Sequence, residues 1–155
     1  MKIRPIQEKD NQALHQLIQK ILKSYGLDKP GTAYFDPELS QLSYYYQNHE
    51  NAQYFVLEDE DKLIGGVGIA PFDEDICELQ KIYLEKEYRG QGLGEKLLET
   101  ALYYAKEHYG SIYLETHSSL KGALKLYEKF GFVSLEQPHE KSVHSAMDVW
   151  MGKEF

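Results

Sequence analysis

The chain has 155 residues, 42% of them hydrophobic and 13% aromatic, a composition that excludes intrinsic disorder and suits one independently stable core. Its 17 Lys and Arg against 25 Asp and Glu leave a formal charge of −8; a field of that sign repels nucleic acid and anionic membranes and favours cationic partners. Cys77 is the only cysteine, which excludes an internal disulfide and any cysteine-based metal cluster and suits a reducing compartment. No apolar leader opens the sequence and no run is long enough to span a bilayer, so the reading is a soluble, cytoplasmic protein.

In chain order, Lys2 to Ile6 reads as a short strand, at an edge because Pro5 cannot donate a ladder hydrogen bond. Asp10 is a candidate cap for a helix whose apolar face holds Ala13, Leu14, Leu17, Ile18, Ile21 and Leu22 and which ends at Gly26. Residues 28–35 read as a loop, and Asp36-Pro37 as the start of a second helix with Leu39, Leu42, Tyr45 and Tyr46 on its apolar side. Strands over 54–58 and 63–70 flank the polar turn Asp59 to Lys62, so they pair antiparallel. Gly65, Gly66 and Gly68 in the second of them signal a bulge or a close approach by another backbone. Strand 76–84 is followed by a glycine run and a helix with Leu97, Leu98, Ala101, Leu102 and Ala105 at helical spacing up to Gly110. Ile112 to Glu115 is a short strand. Ser118 or Ser119 is the expected cap of a helix carrying Ala123, Leu126, Tyr127 and Phe130 that stops at Gly131. Strands over 132–135 and 146–151 close the chain around a polar loop, 136–145. Strands linked through helices near 76–116 should be parallel with a right-handed crossover. The sum is a mixed sheet with helices on both faces.

The stretch ELQKIYLEKEYRGQGLGEKLL, Glu78 to Leu98, joins strand, glycine turn and helix start. Free N–H groups and the helix dipole converge there, which makes a site for an anion. The run lacks Gly-Lys-Ser/Thr and so is no P-loop, and Gly90, Gly92 and Gly94 are spaced G-x-G-x-G, not as the dinucleotide fingerprint requires.

Arg89-Gly90-Gln91-Gly92-Leu93-Gly94 matches the Arg/Gln-x-x-Gly-x-Gly/Ala signature of the GNAT-type N-acetyltransferase superfamily. Glu78 to Leu84 resembles that family's fourth strand, and Ala123-Leu124-Lys125-Leu126-Tyr127-Glu128-Lys129-Phe130-Gly131-Phe132 resembles its A-x-x-L-Y-E-K-x-G-F segment. The order and spacing agree over nearly the whole chain. The resemblance implies one N-acetyltransferase domain over 1–155. Its fold would be α/β: a mixed, mostly antiparallel twisted sheet of six or seven strands with a splayed parallel central pair and about four helices. It implies acetyl-CoA as co-substrate and no metal. Amides of Gly90, Gln91, Gly92, Leu93, Gly94 and Glu95 would hold the pyrophosphate, and Arg89 would shape the loop or meet phosphate. Backbone of Ile82, Tyr83 and Leu84 would pair with the pantetheine arm.

The same resemblance places Tyr127 near the coenzyme sulfur, where its hydroxyl can protonate the departing thiolate. Glu78 is the candidate base for the acceptor amine. His117, after the fifth strand, and His139 and His144, in the late loop, are alternative bases or substrate contacts. Tyr34, Phe35, Tyr44, Tyr45 and Tyr46 fall where the family's early helices wall the acceptor pocket. Many members carry asparagine seven residues before the tyrosine, whereas Leu120 stands here. The segment Leu114 to Leu120 is similar to that of small bacterial members of unassigned substrate.

The expected reaction is direct transfer of acetyl from acetyl-CoA to a primary amine of a small molecule or peptide in a ternary complex. Strand alternation points Cys77 away from Glu78, so no cysteine-acyl intermediate is expected. The alternatives are a non-catalytic acyl-CoA sensor and a protein N-terminal or lysine acetyltransferase. Exposed strand edges leave a homodimer open.

Overall fold

The computed structural model describes residues 1–155. Its elements are β1 (Lys2–Pro5), α1 (Asn11–Ser24), α2 (Leu42–Gln47), β2 (Gln53–Asp59), β3 (Lys62–Asp73), β4 (Ile76–Leu84), α3 (Leu93–His108), β5 (Ser111–Thr116), α4 (Lys121–Lys129), β6 (Val133–Leu135) and β7 (Val149–Glu154). The seven strands form one mixed sheet in the order β1-β2-β3-β4-β5-β7-β6. Every pairing is antiparallel except β4 with β5. The β2–β3 hairpin turns on Glu60 and Asp61, both at positive φ, the primed geometry whose twist matches that of the flanking strands.

Two apolar cores follow from the amphipathic helices. On one face α3 and α4 pack against the sheet through Leu97, Leu98, Ala101, Tyr127 and inward residues of β3, β4 and β5. On the other, Leu14, Ile18 and Leu22 of α1 and Leu42 and Tyr46 of α2 cover Tyr54, Val56 and Ala70. The glycines of β3 answer to this second face. A Cβ at Gly66 would meet the Tyr54 ring, and one at Gly68 the Tyr46 hydroxyl. Both expected readings hold: β3 and β4 shift register between Gly66 and Gly68, a Cβ at Gly65 would meet the Tyr83 carbonyl, and aromatic side chains fill the space at Gly66 and Gly68.

The central pair is splayed. Strands β4 and β5 share only the register Ile76 with Ser111, Cys77 with Ile112 and Glu78 with Tyr113, after which β4 runs on to Leu84 without its neighbour. Within that free portion β4 bulges: Gly66 faces Tyr83 and Gly68 faces Gln80, leaving two residues of β4 opposite Val67. Lys81 sits in the bulge at φ 49, and the Tyr54 hydroxyl donates to its carbonyl at 2.7 Å. A bulge shifts the two-residue alternation by one. Cys77, Leu79, Ile82 and Leu84 accordingly face α3. Gln80 and Lys81, adjacent in sequence, both reach partners on the opposite side: Tyr46 of α2 and Asp36 before it.

Four details differ from the sequence reading. The second helix begins at Leu42, after short 3-10 turns at Ala33–Phe35 and Leu39–Gln41, because the Asp36 carboxylate is bound to Lys81 and His144 instead of capping. Neither Ser118 nor Ser119 caps α4, which starts from Leu120. Asp148 takes both the amide and the hydroxyl of Ser118, and His117 engages Ser119. Strand β7 lies three residues later than expected, because Ala146 donates its amide to Gly31 across the loop instead of entering the sheet. Ala13 is exposed, leaving the apolar face of α1 to Leu14, Leu17, Ile18, Ile21 and Leu22.

Candidate active site

The glycine run forms the turn between β4 and α3. Gly90 and Gly92 both have φ 78, and a Cβ at either would meet nothing within 4 Å. Glycine is needed there for the left-handed backbone and not for want of space. Gly92 is the N-cap of α3 and offers no side chain to the first-turn amides, so those N–H groups and the helix dipole are free for an anionic ligand. Arg89 braces the approach: its Nε donates to the Leu84 carbonyl at 3.1 Å and its Nη1 to the Tyr25 hydroxyl at 2.9 Å.

From this turn a cleft of about 340 Å³ runs between β4, α1 and α4, lined by Ile82, Tyr83, Leu84, Arg89, Gly90, Gly92, Gly94, Glu95, Leu120 and Tyr127. A second, smaller cavity of about 70 Å³ continues past it and is lined by Glu78, Gln80, Lys81, Glu115, Thr116 and His144. The cleft is on the scale of small-molecule sites. Leu22, Ile82, Tyr83, Leu120 and Tyr127 line both, so the two spaces meet at Tyr127. The splay of β4 from β5 opens the passage between them.

Tyr127 is 4% exposed, and burial raises its hydroxyl pKa well above the ordinary value. The hydroxyl therefore keeps its proton across the neutral range. Glu78 is 9% exposed. Its Oε1 accepts from Gln80 Nε2 at 2.7 Å, and Gln80 Oε1 in turn accepts from the Tyr46 hydroxyl at 2.6 Å. Burial pushes the Glu78 carboxyl up, outweighing the Gln80 hydrogen bond, and the nearby Glu115 charge acts in the same direction.

Asp36 anchors the far wall. It binds Lys81 Nζ at 2.7 Å through Oδ2 and His144 Nε2 at 2.8 Å through Oδ1. Burial would raise the Asp36 carboxyl, but His144 and Lys81 outweigh it and hold the group below the usual carboxylate range. Burial alone would lower His144, and the bond to Asp36 reverses that, so its imidazole holds a proton more firmly than usual. Cys77 lies on the other side of the sheet, buried against α3, with its thiol pushed up to about 12 by burial.

Residues 12–132 match the acetyltransferase (GNAT) family. The chain belongs to the GNAT family of acetyltransferases. It is 39% identical over 151 residues to the uncharacterized N-acetyltransferase YjgM of Escherichia coli strain K12, covering 94% of this chain and 89% of that protein. Among solved structures it is similar to an acetyltransferase of the GNAT family from Staphylococcus aureus Mu50, with a TM-score of 0.87, 21% identity and 99% and 98% of the two chains covered. It also resembles PaiA N-acetyltransferase from Thermoplasma acidophilum, a structure in complex with coenzyme A, with a TM-score of 0.74, 19% identity and 99% and 98% covered; at these identities the structural likenesses speak to the fold. Membership makes this chain an acetyl-CoA-dependent N-acetyltransferase.

Within the GNAT frame, the structure gathers Glu78, His144 and Tyr127 around one cavity, as well as Ile82, Tyr83, Leu84, Arg89, Gly90, Gly92, Gly94 and Glu95 along the adjoining cleft. Other expected positions fall elsewhere. The Leu93 side chain is buried in the α3 core and Gln91 is exposed, so any contact they make with ligand is through backbone. Tyr34 packs beside Phe35 and lines neither cavity, although its neighbour Ala33 does. His117 is turned to the surface, with Nδ1 2.8 Å from Ser119 Oγ and Nε2 4.0 Å from Asp148. His139 packs against Phe72 and Tyr113 with its Nε2 3.3 Å from Asp73. Leu120 lies at the junction of the two cavities and supplies an apolar wall.

Sequence reasoning passed over Gln80, Lys81, Asp36 and Glu115. The bulge hides Gln80 and Lys81, since strict alternation would put them on opposite faces. Glu115 was within reach of alternation, which sets it on the same face as Tyr113, two residues along β5.

Proposed function

We propose that the chain transfers an acetyl group directly to a primary amine of a small molecule or peptide, with Glu78 as base and Tyr127 as acid. The observation that carries this reading is the meeting of the two cavities at Tyr127, one ending on the uncapped start of α3 and the other on Glu78. The glycine turn fits the pyrophosphate of coenzyme A, because its open backbone presents amides with no side chain in the way. Amides of Gly90 to Glu95 would hold that group, and the free edge of β4 at Ile82 to Leu84 would pair with the pantetheine arm. Bound acetyl-CoA supplies an activated thioester.

Glu78 accepts the proton that the acceptor ammonium must shed, directly or through one water. Its raised pKa brings the base nearer to working pH than an ordinary carboxylate. The neutral nitrogen then bonds to the acetyl carbon, and as the carbon–sulfur bond breaks it sheds its second proton, which returns through water to the tyrosine that protonates the sulfur. Tyr127 donates its retained proton to the leaving thiolate. Amides in the bulged stretch of β4 are suited to hold the carbonyl oxygen as charge develops. Residues 1–155 act as one catalytic domain on this reading. Cytoplasmic placement accords with the single reduced thiol and with there being no helix long and apolar enough to cross a membrane.

The test is release of free coenzyme A thiol from acetyl-CoA in the presence of a panel of primary amines, with the product identified by mass. Amine-dependent release and an N-acetyl product are expected. Acetyl-CoA binding without release for any amine or peptide would favour a sensor and overturn the proposal.

A further inference from the structure

We propose that Glu115 binds a second positive charge on the acceptor, so that the preferred substrates are primary amines carrying a further cationic group. This rests on the acetyl transfer just proposed and specifies its acceptor.

Glu115 lies on β5, two residues beyond Tyr113, whose register partner is Glu78. Two residues are about 7 Å of strand. Ile112 and Leu114 face the α3 core, so Tyr113 and Glu115 face the other way, and both glutamates line the same cavity. The Glu115 carboxylate is firmly placed. Its Oε2 accepts from the Tyr113 hydroxyl at 2.8 Å, that hydroxyl accepts from the His139 amide at 3.0 Å, and the Tyr113 ring is stacked on Phe72. Its Oε1 is buried and has no hydrogen-bond partner. A buried acceptor without a donor is costly, the more so on a charged group.

The cavity's own cations do not answer this. Lys81 Nζ is 2.7 Å from Asp36 and 3.7 Å from Glu38, and His144 is 2.8 Å from Asp36. Gln80, the other polar donor near Glu78, spends its amide on Glu78. Two carboxylates thus remain for the acceptor. Glu78 is discharged in the reaction when it takes the proton from the attacking nitrogen. That nitrogen attacks as a neutral amine and cannot also serve as a counterion for Glu115. A separate cationic group about 7 Å away can.

The test compares n-butylamine, the four-carbon diamine and the four-carbon ω-amino acid, which share a reacting nitrogen and differ in the charge of the tail. Steady-state acetylation and calorimetric binding to the coenzyme-loaded full chain are both measured. The diamine is expected to have a KM at least tenfold below butylamine, with the amino acid poorest. Glu115→Gln, which keeps an acceptor for Tyr113, should erase the preference while coenzyme affinity holds within about twofold. Glu115→Asp should keep part of it. Equal wild-type KM values for diamine and butylamine, or a preference that survives Glu115→Gln, would overturn the cation site. If no amine is acetylated yet the diamine binds in a Glu115-dependent manner, the cation site stands and the transfer reading falls. Acetylation without any Glu115-dependent preference does the opposite: the transfer stands and the cation site falls.

Discussion

At Glu78, burial raises the carboxyl above its ordinary value, and the same burial keeps Tyr127 protonated. Glu78→Gln should lower kcat on the order of 100-fold or more, the usual yield of a positioned base, while calorimetric affinity for acetyl-CoA stays unchanged. The wild-type rate should rise with pH through the elevated Glu78 pKa, above the ordinary 4.5, and that acidic limb should be missing from the variant's profile. Tyr127→Phe should cost about tenfold or more in kcat with the coenzyme still bound. Cys77 serves as the contrast. Its thiol, held near 12 and facing α3, is a poor nucleophile. Cys77→Ala is therefore expected to retain activity within about twofold, and loss of turnover in a folded variant would rule out direct transfer.

Elements set these residues in place, and two of them lend themselves to measurement. Gly92→Asp puts a β-carbon on a left-handed backbone and a negative charge at the uncapped start of α3. Binding of coenzyme A by calorimetry should be lost while circular dichroism stays native; unchanged affinity would remove the phosphate from this turn. The Asp36 junction ties the loop before α2 to the β4 bulge and to the late loop through Lys81 and His144. Its pH dependence has a definite sign. His144 is raised when folded, so its contribution is complete below the unfolded value of 6.5 and fades as pH climbs through the raised one. Asp36 is lowered, so its contribution is present above 3.8 and lost as pH falls through the depressed value. Stability from this junction should thus be greatest between 3.8 and 6.5. Asp36→Asn should flatten that window and cost about 3 kcal/mol in thermal or urea unfolding, the scale for breaking a mostly buried pair from one side.

Over the whole molecule, the formal charge of −8 and the two carboxylates of the cavity favour the approach of cations. For a dicationic acceptor kcat/KM should fall as salt is raised from about 0.01 M to 1 M, where the screening length shrinks from about 30 Å to 3 Å. A salt-independent value would remove the field from the account. At this scale the sequence was most legible where signals were local. The glycine run, the amphipathic α1 and α3, the hairpin at 60–61 and the alternation around Glu78 all follow from nearest neighbours in the chain. It was least legible where a side chain is captured by a distant partner. Ser118 is held by Asp148, and Asp36 by Lys81 and His144; each would have been a local cap had that partner been elsewhere.

By itself, then, the sequence determined the order of elements, the mixed sheet with a parallel central pair, the glycine turn before α3 and the placement of Glu78 opposite Cys77. These depend on periodicity and on backbone freedom at named glycines, which short stretches encode. Only the tertiary structure decided where β4 parts from β5, just beyond Glu78, that a bulge at Lys81 turns Gln80 and Lys81 to one side, and that Glu115 reaches the cavity beside Glu78 with one oxygen unpaired. The reason is physical. Strand separation, bulge position and the matching of buried charges are settled by the balance of packing and electrostatics among residues far apart in the chain, and no window of sequence contains that balance.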